Sequence, residues 1–149
     1  HATFRIIAFS AFASISGIAL AHESATGMVA ERMTVMKEMA DSMKTIGQML
    51  NGTVNFDPAV ARSAAAALHA DCHQATEQFA DGTDEHSSRA LPAVWEKPIE
   101  FQVKMDEFDS SVKALVAAAV VGDIQALERP FNDVGQACSS CHERFRRPE

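Results

Sequence analysis

Apolar side chains recur at three- and four-residue intervals through most of the chain, and each run is bounded by residues that start or stop helices. The first run extends from about Ser24 or Thr26 to Leu50. Met28, Arg32, Val35, Met36, Met39, Met43, Ile46 and Leu50 share one face of it, and Asn51-Gly52 supplies a left-handed stop. The second opens at Asp57-Pro58, where Asp can cap and Pro fits the first turn. Val60, Ala64, Leu68, Cys72, Ala75 and Phe79 form its inner face, and Asp81-Gly82 closes it. These side chains are small, so another helix can approach closely, within the chain or in a dimer.

Residues Thr83 to Leu91 are polar and read as a loop. A third helix starts between Pro92 and Pro98 and carries Phe101, Met105, Phe108, Val112, Leu115 and Ala119 at helical spacing. Gly122-Asp123 is both stop and restart. The fourth helix presents Ile124, Leu127, Phe131, Val134, Cys138, Cys141 and Phe145 on one stripe, with Pro130 set to kink or delay it. Four amphipathic helices with short connections predict an all-α, antiparallel up-down four-helix bundle.

The N-terminal stretch breaks this pattern. Arg5 precedes a run from Ile6 to Leu20 without a charged residue, and Ala19-Leu20-Ala21 offers a small-x-small cleavage site before His22. Residues 1–21 therefore read as a signal peptide and 22–149 as one exported, periplasmic domain that needs no membrane once the leader is removed. Composition agrees with helix: the 149 residues include no Tyr and one Trp, but seven Met. The formal charge of −7 argues against nucleic acid or an anionic membrane surface as a partner.

Three cysteines in an exported chain do not make a disulfide framework. Two of them belong to Cys138-Ser139-Ser140-Cys141-His142, the C-x-x-C-H pattern of haem c attachment. Two thiols add to the haem vinyl groups as thioethers. Positions i, i+3 and i+4 share a helix face, so His142 can ligate the iron from the side of the tether. No βαβ context supports a thioredoxin-like site, and no second C-x-x-C supports structural zinc.

The segment from Phe131 to Arg146, with the motif on the last helix rather than near the N-terminus, resembles the class II c-type cytochromes, the cytochrome c′ family. The resemblance extends to Arg32 through Gly52 and the Trp95 region. It implies one covalent haem c, Cys138 and Cys141 as its thioether positions and His142 as proximal ligand. It further implies Arg32 near the haem, at a propionate or in the pocket. The family divides at the far side of the iron. In cytochrome c′ proper the iron is five-coordinate and an apolar first-helix residue shields it. In the low-spin cytochrome c-556 type a first-helix Met ligates, and Met36 holds that place here. A thioether at this position gives His/Met ligation; Met39, one turn on, is the alternative.

The expectation from sequence is thus an electron carrier, not an enzyme, with His142 and Met36 on a low-spin iron and redox proteins as partners. The alternative is a five-coordinate protein that binds nitric oxide or carbon monoxide. Class II proteins are often dimers through their first two helices, and the small residues of the second helix permit a homodimer. Of the remaining residues, His69 and His73 stand at i, i+4 with no third metal ligand evident, and read as solvent-facing. Cys72 reads as an inert buried thiol, with a dimer-linking disulfide as the exported-chain alternative. Arg144, Arg146 and Arg147 suit a helix C-terminus or an acidic redox partner. Trp95 and Phe101 read as core.

Overall fold

The computed structural model describes residues 27–79 and 88–148. The leader reading of residues 1–21, the start at Ser24 or Thr26, the Asp81-Gly82 stop and most of the Thr83–Leu91 loop lie outside them. The helices are α1 (Gly27–Leu50), α2 (Pro58–Glu77), the short α3 (Ala93–Glu96), α4 (Pro98–Val121) and α5 (Ile124–Phe145). The four long ones form the bundle: α1 packs on α2, α2 on α4, α4 on α5, and α5 returns to α1. This last pair meets least closely. Among the described residues no helix is long and apolar enough to cross a membrane.

Several helix ends have a local cause. The Asp57 carboxylate accepts the Ala59 and Val60 N–H groups at 2.8 and 3.2 Å, and Pro58 occupies the first turn. Asp57→Ala is expected to cost about 1 kcal/mol, read as a lower urea midpoint of the whole protein. Gly122 takes φ 78° to end α4, and Asp123 caps α5 by accepting the Gln125 N–H at 3.0 Å. The third predicted helix is two elements, because Pro98 lacks the N–H that would continue α3 into α4. Pro130 lies inside α5 and does not delay it.

The core follows the predicted faces on α4: Phe101, Met105, Phe108, Val112, Leu115 and Ala119 are all buried. On α1, Val35, Met39, Ile46 and Met49 are buried, and Arg32 with them. The reading of α2 needs correction in its first turns. Ala61 and Ala65 are buried, whereas Val60 is exposed and Ala64 only half-buried. Positions 61, 65, 68, 72 and 75 form the continuous seam, and a start one residue earlier would leave it. The small side chains along this seam are used inside the chain, against α1 and α4. Gly47 has a similar role between α1 and α5, since a Cβ there would sit 3.1 Å from the Phe131 ring.

Candidate haem-attachment site

A cavity of about 320 Å³ opens in the bundle interior beside the region where α1 and α5 separate. Met36, Met39, Ala40 and Met43 line it from α1, Leu68 and Ala75 from α2, and Met105 and Phe108 from α4. The α5 wall contains Gly135, Ala137, Cys138, Cys141 and His142. Residues about one hundred positions apart thus line one cavity, the C-x-x-C-H turn on one wall and the methionine stripe of α1 on another. The volume is at the lower end of the range for ligand pockets, about 300–1,000 Å³, and the lining is almost wholly apolar. A wider hollow of about 640 Å³ between α1 and α5 has Lys44, Gln48, Asn51 and Glu128 around it but neither thiol nor imidazole.

The donor set fits a tethered haem. Cys138 and Cys141 are half-buried free thiols on one face of α5, separated by a single turn. Burial pushes both thiols up, Cys141 to about 11, so they remain protonated rather than ionised at neutral pH. His142 stands at the exposed rim of the cavity. Its pKa is lowered, first by loss of solvent around the ring and then by the Arg146 and Arg89 cations. A neutral imidazole is the form that binds iron.

Arg32 does not line the cavity. It lies one turn before Met36, buried to 5% exposure. Its Nε and Nη2 donate to the Gln78 carbonyl at 3.2 and 2.7 Å, and Nη1 donates to Ser88 Oγ at 2.9 Å. The guanidinium lies 4.4 Å from the Phe79 ring centroid and 5.7 Å from that of Trp95. Arg32 therefore ties the end of α2 to the segment after it, a role distinct from the propionate or pocket position that the resemblance implied. That segment is fastened in turn to the C-terminal end of α5. The Leu91 N–H donates to the Phe145 carbonyl at 2.8 Å, and the Arg147 N–H to the Arg89 carbonyl at 2.8 Å. Phe101 stacks between Phe79 and Phe145 at 4.9 and 5.3 Å. Of the basic cluster, Arg144 pairs with Glu100 of α4 at 2.8 Å.

Comparisons with known proteins agree with this arrangement. Residues 27–146 match the family described as Cytochrome C′. The chain is 33% identical over 126 residues to cytochrome c-554 of Cereibacter sphaeroides, covering 82% of each. It is 32% identical over 134 residues to cytochrome c′ of Rhodopseudomonas palustris, covering 88% of this chain and 87% of the relative. Among solved structures it is similar to cytochrome c′ from Alcaligenes xylosoxidans. A ferrous variant with bound nitric oxide superposes with a TM-score of 0.78 at 25% identity, over 82% of this chain and 94% of that one. A variant with carbon monoxide bound gives 0.77 at 26% identity, over 81% and 94%.

Proposed function

Since the chain belongs to the cytochrome c′ family, whose members carry one covalent haem c, we propose that it holds this haem through Cys138, Cys141 and His142 and takes up nitric oxide or carbon monoxide on the opposite face. Bound there, the haem supplies an iron that changes between ferric and ferrous states and accepts a diatomic ligand. The observation that carries the reading is the α1 wall. Met36, Met39, Ala40 and Met43 place thioethers and methyl groups in the cavity, and no hydroxyl, amide or second imidazole is among its lining residues. Such a wall excludes water and offers no hydrogen bond to a polar oxygen ligand. It tolerates a small, nearly apolar gas. The gas complexes of similar proteins support the same preference over the His/Met carrier expected from sequence. Arg32, one turn before Met36, supports the α1 wall in this reading by bonding to the end of α2. We place the protein in the periplasm, in keeping with its family.

One observation favours a second reading. Met36 itself lines the cavity, so its sulfur is available to the iron, and the protein would then be a low-spin electron carrier with redox proteins as partners. Absorption spectra of the reduced protein separate the two. The gas-binding reading expects a broad high-spin Soret band, a spectral change on adding carbon monoxide at micromolar concentration, and an unchanged gas-free spectrum in Met36→Leu. A sharp α band that disappears in Met36→Leu would establish the carrier reading instead.

A further inference from the structure

Outside the haem cavity, the fold gathers three metal-ligating side chains from two helices. His69 and His73 stand one turn apart on α2, and Asp109 reaches them from α4. The two imidazole Nε2 atoms are 3.2 Å apart. Asp109 Oδ1 lies 3.6 Å from the first and 3.8 Å from the second. The sequence alone offered only the histidine pair; the third ligand comes from packing α2 on α4.

We propose that His69, His73 and Asp109 bind a divalent transition-metal ion of the zinc type. Three observations support this. A tetrahedral ion with bonds of about 2.0–2.1 Å has ligand-to-ligand edges of about 3.3–3.4 Å, and the three observed separations bracket that value. Two imidazoles and one carboxylate form a donor set that favours zinc-like ions over calcium or magnesium. Asp109 Oδ1 is buried and accepts no hydrogen bond. Such an orphaned oxygen is costly, and a cation between it and the two ring nitrogens satisfies it. The other carboxylate oxygen accepts from Lys113 Nζ at 2.6 Å, which orients the group and, as the largest cause, holds its pKa low. The His73 side chain is 63% exposed, so solvent reaches the site and water can fill the fourth position.

The site joins the two helices that form one wall of the haem cavity. His69 and His73 directly follow Leu68 and Cys72, and Asp109 directly follows Phe108. An ion here therefore clamps α2 to α4 from the outer side.

The test is calorimetric titration of chelator-treated holoprotein with zinc chloride in a non-coordinating buffer. One equivalent is expected to bind. His73→Ala and Asp109→Asn should each weaken it at least about tenfold, and His69→Ala/His73→Ala at least about 100-fold. All three changes are at partly exposed positions, and unchanged haem absorption verifies that each variant folds. Saturating zinc should raise the melting temperature of the parent protein by roughly 5–10 °C and leave that of His73→Ala unmoved. No uptake by the parent protein at 100-fold molar excess of zinc, or equal affinity in the double variant, would overturn the proposal. Neither result bears on the haem reading, which rests on α5.

Discussion

Replacing Cys138 and Cys141 together by serine is expected to abolish covalent haem completely. The two sulfurs are the only thiols on the cavity wall among the described residues, and serine hydroxyls do not form the thioether. In a denaturing gel stained for haem peroxidase activity, the parent chain should carry colour and the double variant none. Each single variant should retain one linkage and stain. Thiol counting gives an independent reading, because the third cysteine behaves differently. Cys72 is 1% exposed, and burial, with a smaller contribution from the Asp109 charge, pushes its thiol up to about 11. The native protein should therefore consume no thiol reagent at pH 8, and the guanidinium-unfolded protein one equivalent, from Cys72. Three equivalents in the unfolded parent would mean that the two α5 cysteines are not linked to haem. The same measurement checks the dimer-linking disulfide weighed from sequence, since a bonded Cys72 would leave no thiol to react.

The second large effect is expected at Arg32. Alanine there removes both hydrogen bonds to the Gln78 carbonyl and the one to Ser88 Oγ. It also removes the cation stacked over Phe79 and empties the volume of a long side chain. Gln78 and Ser88 are themselves buried, at 7% and 5% exposure, so water replaces the lost donors poorly. An unpaired buried acceptor costs about 1–3 kcal/mol, and a desolvated cation–aromatic contact contributes up to about 2 kcal/mol. Arg32→Ala is therefore expected to destabilise the protein by about 3 kcal/mol, measured as a lower urea midpoint of the holoprotein. Arg32→Lys should recover only part, because an ammonium cannot engage one carbonyl through two N–H groups as the guanidinium fork does. A loss below about 0.5 kcal/mol, typical of an exposed arginine, would contradict the buried role. A drop in haem content at unchanged stability would point to a propionate contact as its main role.

Several features of this protein can be traced to short stretches of chain. The α4 seam from Phe101 to Ala119 was legible because each buried residue repeats at three or four positions and the seam carries the helix's large side chains, although Ile99, Val103, Val120 and Val121 lie exposed off that seam. The α2 seam was less legible. Alanine occurs at 59, 61, 64, 65, 66 and 67, so several registers look alike until α1 and α4 select the one at 61 and 65. The division of the third helix at Pro98 was ambiguous for a related reason, since Pro92 and Pro98 both suit a first turn. The missed third ligand, Asp109, shows the limit most clearly. It is 36 residues from His73, and an aspartate followed four positions later by Lys113 reads as an ordinary surface ion pair.

By itself the sequence pointed to the proposed covalent chemistry and determined the helical class. C-x-x-C-H depends on residues within one turn, and helical period is a property of local spacing, so neither needs a neighbouring helix to be recognised. Only the tertiary structure decided what faces the motif. It brought Met36, Met39 and Met43 across from Cys138, Cys141 and His142, turned Arg32 toward Gln78 and Ser88, and carried Asp109 to the histidine pair. These relations arise from burying several amphipathic faces at once, and the packing of whole helices sets the distance between residues that the chain separates.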